Sequence, residues 1–265
     1  MSTFIRRPPK PDIIYPDSDG QPMAENTLQF QWIVTIEGGL DALFRNREDV
    51  FVAGDLLWYP VQGEPTIRVA PDAMVVFGRP KGYRSSYKQW EEDNLPPRVV
   101  FEVLSPGNRH HEMVRKFEFY RRYEVQEYYV YDPDNIELIG YLRQGDELVE
   151  IPTIEGWQSP LLGVRFELAR GELRIIGPDG RAFATYLELV VQRDQEHQSA
   201  ELERQAREQA QQRAEAERQR AETEKQRAET EREGREKAER LAADQRAAAE
   251  RLREQLQALG IEPRG

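Results

Sequence analysis

The chain contains no cysteine among its 265 residues. That rules out a disulfide framework, a thiolate metal site and a redox nucleophile. It has no run of apolar residues long enough for a membrane span, and its start, MSTFIRRPPKPDIIYPDSDG, lacks the apolar stretch of a signal peptide. A cytoplasmic protein that does not enter the membrane is therefore expected. It also lacks an excess of basic residues: the formal net charge is −11, of which −9 falls in residues 1–194 and −2 in 195–265. Long-range electrostatics thus oppose nucleic acid, and any binding of it must rest on local basic groups and metal ions. There is no Ser-His-Asp, Cys-His or Gly-rich phosphate-loop pattern.

A further set of absences divides the chain. From Gln195 to Leu259 there is no proline, no aromatic residue and one glycine, Gly234, while Glu, Arg, Gln and Ala make up nearly everything. This stretch has nothing to give a hydrophobic core. The preceding residues are rich in Val, Ile, Leu, Phe, Tyr and Trp, enough for one substantial core. The expected organisation is a globular domain over 1–192, a charged helical or coiled-coil tail over 193–259, and a disordered end at 260–265.

Within the domain, residues 1–22 hold five prolines and read as an extended lead-in without regular structure. From Ala24 to Phe44, Leu28, Trp32, Ile36, Leu40 and Leu43 recur at three- and four-residue steps and predict a helix with one apolar stripe. Three apolar runs rich in β-branched residues follow: VFVAGDLLWYP, IRVAPDAMVVF and RVVFEVLSP. Each reads as a strand, and the polar stretch GRPKGYRSSYKQWEEDNLPP between the second and third reads as a surface excursion. HHEMVRKFEFYRRYEV then predicts a second helix, and EYYVYDP, IELIGYL, DELVEI and GVRFEL predict further strands. This order implies an α/β fold, a mixed sheet flanked by helices.

Carboxylates lie inside the three apolar runs: Asp55, Asp72 and Glu102. A charge in such surroundings is costly unless it is paired or binds metal. One acid at a strand end more often caps a turn or pairs with an arginine, but three in succession point to a shared ligand. Hydrolysis of a phosphodiester without a covalent intermediate needs such clustered hard oxygens to hold one or two divalent ions.

At these residues the sequence resembles the Uma-two family of restriction endonucleases, also called domain of unknown function 820, in the PD-(D/E)XK nuclease superfamily. The matching features are YPDSDGQPMAEN, VAGDLLWYP, APDAMVVFGRPKG, VVFEVLSPGN, the helix with Lys116 and Tyr120, and EYYVYDP; they cover most of residues 12–192 and none of the tail. The resemblance implies a restriction-endonuclease-like fold, with Asp72 and Glu102 as catalytic metal ligands for Mg²⁺ or Mn²⁺ and DNA as the substrate. It further implies Asp55 as a metal ligand on the preceding strand, and Glu25, in the first helix, as an additional acid at the site. The chain departs from the superfamily pattern at one point: Leu104 stands two residues after Glu102, where a lysine is expected.

Lys116 offers a replacement on grounds of its own. It lies three residues after Met113, four before Tyr120 and seven before Tyr123, and so shares their helix face. A lysine in such a stripe either snorkels to solvent or crosses to the acids, where its ammonium can stabilise a pentacovalent phosphorus. Arg79, Lys81, Arg84 and Lys88, interleaved with Tyr83, Tyr87 and Trp90, make a candidate substrate-binding patch of phosphate contacts and stacking rings. Glu91, Glu92 and Asp93 follow at once, however, and charged loops are usually solvated. His110 and His111 open the second helix, where polar residues most often face water.

In the tail, ERQRAET, EKQRAET and EREGREK form a seven-residue repeat with Glu-to-Arg pairs four apart, such as Glu231 with Arg235. Each such pair is worth ~0.2–0.5 kcal/mol to an isolated helix. The heptad seam is polar through its first half, and only its last turns, with Leu252, Leu256 and Leu259, look adhesive. A solvated single helix and a coiled coil both remain open, as does homo-oligomerisation through the domain or the tail. Two functions compete: a metal-dependent DNA endonuclease, and a nuclease-fold scaffold or binding module, catalytically weak or inactive, that acts through its tail.

Overall fold

The computed structural model describes residues 13–258 apart from 19, 21, 108, 109 and 170. The disordered end expected at 260–265 and residues 1–12 of the expected lead-in lie outside these. The chain divides into two units, the first ending at Val191 and the second starting at Gln192.

The first unit opens with residues 13–18, which form no helix or strand. They are pinned nonetheless: the Tyr15 hydroxyl accepts from the Gly63 N–H at 2.6 Å, and the Pro16 carbonyl accepts from the Tyr59 hydroxyl at 2.6 Å. Helix α1 spans Thr27–Leu43, with Asn26 as its N-cap accepting from the Gln29 N–H at 2.8 Å. Its buried residues are Gln29, Ile33, Thr35, Ile36 and Leu40; of the expected stripe Ile36 and Leu40 are buried, Trp32 and Leu43 are half-buried against the core, and Leu28 is exposed.

Strands β1 (Val50–Ala53), β2 (Trp58–Tyr59), β3 (Ala73–Phe77), β4 (Tyr87–Lys88) and β5 (Val99–Val103) follow. The run expected as one strand over VFVAGDLLWYP is thus two, because the backbone bends at Gly54 and Asp55 takes up a left-handed φ of 47°. Part of the polar excursion is also ordered, since β4 pairs in parallel with β2. Helix α2 (His110–Arg122), the strands β6 (Glu127–Asp132), β7 (Glu137–Gln144), β8 (Glu147–Glu150), β9 (Arg165–Ala169) and β10 (Glu172–Ile176), and helix α3 (Tyr186–Ala258) complete the order. The sequence reading missed β10, which pairs antiparallel with β9.

Six strands make the main sheet in the order β1-β3-β5-β6-β7-β8. All neighbours are antiparallel except β5 and β6, which run parallel and are joined by α2 as their crossover. The period-2 alternation of strands sends successive side chains to opposite faces. Val75, Phe101 and Tyr129 pack with Ile33, Ile36 and Leu40 of α1 on one face; Met74, Val76, Val100 and Tyr128 pack with Tyr120 of α2 on the other. Each such side chain, fully buried, stabilises the fold by ~1.5–3 kcal/mol. The last turn of α2 is secured by Arg143 of β7, whose guanidinium donates to the Val125 carbonyl at 2.7 Å and to those of Tyr120 and Arg121. The carbonyls of Tyr120 and Arg121 are ones that a helix end leaves without intrahelical donors, and Val125 lies in the segment just after it.

Helix α3 starts at Tyr186, before the compositional break, and a capping box accounts for this. The Thr185 N–H donates to Glu188 at 2.7 Å, and the Glu188 N–H donates back to the Thr185 hydroxyl at 3.3 Å. From Gln192 on, the second unit is helix with solvent-exposed side chains as far as Gln255. It carries Arg204–Glu208, Arg232–Glu236 and Glu231–Arg235 pairs at 3.1, 3.2 and 2.9 Å. Among the described residues no helix is long and apolar enough to cross a membrane.

Candidate active site

Pro71 determines where the site forms. Strands β3 and β5 pair with Ala73 opposite Phe101, so the next step sets Asp72 opposite Glu102, and the one after sets Pro71 opposite Val103. A proline has no N–H to give to the ladder. Strand β3 therefore begins only at Ala73, later than the run IRVAPDAMVVF suggested, and Asp72 turns its carboxylate into the gap. Its Oδ2 accepts the Val103 N–H at 2.6 Å.

Glu102 lies in the middle of a fully buried strand, on the face that α2 covers, and is 2% exposed. Lys116 comes down from α2 and donates to Glu102 Oε2 at 2.6 Å. Tyr120, one helical turn later, donates its hydroxyl to Glu102 Oε1. Lys116 thus crosses to the acids instead of snorkelling. The sequence reading has Tyr120 as part of the apolar stripe and of the family resemblance but gives it no role at the site; its spacing of four from Lys116 was the available signal.

Electrostatically the cluster is two acids sharing one base. Burial pushes the Asp72 carboxyl well above the ordinary carboxylate range, and the neighbouring charge of Glu102 pushes it further, against the pull of Lys116 and the Val103 N–H. Burial works to lower Lys116, yet Glu102 and Asp72 hold its ammonium above the usual lysine value. Burial and Glu102 likewise raise the Tyr120 and Tyr128 phenols well above theirs, so both stay protonated. The Tyr128 hydroxyl is buried without a hydrogen-bond partner among the described residues.

The remaining expected site residues are distributed as follows. Asp55 is exposed on the bend after β1, not inside a strand, and its N–H donates to the Pro71 carbonyl at 3.0 Å. Glu25 precedes the N-cap of α1 and so lies outside the helix where the sequence placed it. The Ser105 hydroxyl, just past β5, donates to Glu25 Oε2, and a Cβ on Gly107 would overlap that carboxylate, so the loop approaches it as closely as it does only because residue 107 is glycine. His110 and His111 are exposed at the start of α2. Among the described residues no three His, Asp or Glu side chains gather closely enough to cage a metal ion.

The four cations of the excursion are all in ion pairs. Arg79 pairs with Glu92 at 2.8 Å and with Asp93; Arg84 pairs with Glu92 at 2.6 Å and lies 4.0 Å over the Phe51 ring. Lys81 pairs with Asp41 at 2.6 Å and Lys88 with Glu91 at 3.8 Å. The acids that follow the basic stretch in sequence neutralise most of it.

The fold is of the α/β class: a mixed sheet with helices on both faces, in which Asp72, just before β3, and Glu102, on the neighbouring β5, stand side by side. Its family is identified directly. The Uma2 model, described as "Putative restriction endonuclease", matches residues 3–169, and the chain belongs to that family. Among solved structures, a "putative nuclease belonging to DUF820" from Anabaena variabilis aligns at 12% identity and a TM-score of 0.38, covering 51% of this chain and 72% of its own. The chain matches no curated protein.

Proposed function

We propose that this protein is an endonuclease that hydrolyses DNA phosphodiester bonds with Mg²⁺ or Mn²⁺. The observation that carries the reading is the facing pair Asp72 and Glu102 on one side of the sheet with Lys116 against Glu102. The donor set fits a hard divalent cation. Both acids offer carboxylate oxygens, and the burial and the repulsion from Glu102 that raise Asp72 are what a bound cation would relieve. A set of two protein carboxylates suits Mg²⁺ in particular, which keeps several waters and takes further ligands from substrate phosphate. When bound, the ion makes a water nucleophilic near neutral pH and takes up charge on the phosphate oxygens.

The protein's own residues do the rest. The Val103 N–H fixes Asp72 through Oδ2, and Tyr120 fixes Glu102 through Oε1. Lys116 pairs with Glu102 in its buried setting and brings a fixed positive charge to the site. There it stabilises the added negative charge of the transition state without having to reorganise. Asp55 and Glu25, each on a segment bordering the strand ends, would assist as further acids. Phosphate contact by Arg79, Lys81, Arg84 or Lys88 would require them to exchange a carboxylate partner for the substrate.

That pairing of the loop cations favours one competing reading, a nuclease fold that binds a partner through its helical tail and does not cut. Titration of the purified protein with Mn²⁺, followed by calorimetry and by cleavage of supercoiled plasmid, separates the two. Nuclease function predicts saturable binding and nicking that are both lost in Asp72→Asn and Glu102→Gln. A wild-type protein that binds no divalent ion refutes it.

A further inference from the structure

Gln29 is buried on α1, far in sequence from the acids, and both ends of its side chain amide are engaged. Its Oε1 accepts the Glu25 N–H at 2.8 Å and its Nε2 donates to the Val103 carbonyl at 2.8 Å. The second bond repairs the break made by Pro71. At every second pair of an antiparallel ladder the two residues exchange both N–H and C=O; Leu104 gives its N–H to β6, so Val103 faces β3 and would exchange two hydrogen bonds with position 71. Proline at 71 cannot donate, and its carbonyl is occupied by the Asp55 N–H. Val103 is thereby left at a buried strand end with its N–H and C=O both open on the β3 side. Asp72 closes one and Gln29 the other.

We infer that Gln29 is a positioning residue for the metal-binding acids: it replaces the absent Pro71 N–H and so fixes the end of β5, whose Val103 N–H aims Asp72. The inference rests on the metal-dependent reading above only for its functional consequence. A buried carbonyl that loses its donor moves to find another. A shift of the Val103 peptide takes with it the N–H on Asp72 and the backbone on either side, where Glu102 and Ser105 stand. The same amide holds Glu25 in place through its N–H, so both acids flanking β5 depend on it.

The test uses full-length Gln29→Met, which keeps the length and apolar bulk of the side chain and removes both hydrogen bonds, and Gln29→Met with Pro71→Ala, which returns an N–H to position 71. Hydrogen exchange of the Val103 amide in metal-free protein reads the positioning directly, and Mn²⁺ affinity by calorimetry reads its consequence. Exchange in Gln29→Met should quicken by about tenfold or more relative to unchanged core amides of β6. Mn²⁺ affinity should fall by ~10–100-fold, the range for outer partners of metal ligands. The added Pro71→Ala should recover part of both. Wild-type Val103 exchange in folded Gln29→Met overturns the inference, as does quickened exchange with unchanged Mn²⁺ affinity. Absence of Mn²⁺ binding by the wild type instead overturns the metal-dependent reading, while the exchange result still decides whether Gln29 holds the strand end.

Discussion

Replacing Lys116 by Met in metal-free protein tests the electrostatic account of the site without any assumption about catalysis. The methionine keeps most of the stem and removes the ammonium, leaving the carboxylate of Glu102, 2% exposed, without its cation. Breaking a buried ion pair by removing one partner costs about 3–5 kcal/mol, because the other charge stays buried and uncompensated. Tyr120 still donates to Glu102, so the lower end, about 3 kcal/mol, is expected. That is a large share of the ~5–15 kcal/mol that holds a domain folded. At ~2–4 °C per kcal/mol for a body of this size, the midpoint should fall by roughly 6–12 °C. Adding Glu102→Gln should return most of the loss, since replacing both partners of a buried pair is often neutral. Urea unfolding followed by circular dichroism, in EDTA at constant pH, measures the four corners of this cycle. The reasoning is refuted if Lys116→Met melts with the wild type, or if the double variant is as unstable as the sum of the singles.

Asp72→Asn should be more stable than the metal-free wild type at neutral pH. Burial, and after it the charge of Glu102, hold the folded-state pKa of Asp72 above that of a free aspartate, so its contribution is intact below the free value and is lost as pH rises through the folded pKa. The stability gap between variant and wild type should therefore open with rising pH and then level off, which melting scans across the acid-to-neutral range will show. Lys116→Ala should lower the cleavage rate by ~10²–10³-fold, the cost of removing one preorganised charge, with Mn²⁺ affinity nearly intact, and Leu104→Lys should restore part of the rate. A chain ended after Val191 should melt at the wild-type midpoint and keep any nuclease activity, because the described side chains of the second unit are almost all exposed.

Much of this architecture is legible in the sequence because the signals are local. Three apolar runs, two helical periodicities and an abrupt loss of aromatic residues give the sheet, its helices and the tail. What escapes is what the backbone does between those signals. VFVAGDLLWYP reads as one apolar run, yet Gly54 and a left-handed Asp55 split it, so an acid on an exposed bend looked the same as Asp72 at the edge of β3 and Glu102 within β5. The basic excursion reads as a binding patch because the pairing of Arg79 and Arg84 with Glu92, thirteen and eight residues on, depends on how the loop folds back. Gln29 was invisible as a site residue, since a lone glutamine on an apolar face carries no signal until its partner, seventy-four residues away, is known.

The lysine shows how a positive charge can reach Glu102 by a different backbone route. Residues 102 and 104 of a continuing strand would share a face, which is why a lysine two places after the acid reaches the same point in space as the acid. In this chain β5 ends at Val103, and Leu104 gives its N–H to the Tyr131 carbonyl on the β6 side. The face that Leu104 would have served is covered by α2, and a lysine on the inward stripe of that helix arrives over Glu102 from above. A helix supplies this charge at the cost of burying a long polar stem, which only a paired partner makes tolerable. Tyr120 follows from the same placement: one turn further along the stripe it meets the other oxygen of the same carboxylate. Lysine and tyrosine four apart on α2 therefore act as one device, grasping Glu102 from both sides and leaving Asp72 to be fixed by the backbone of β5.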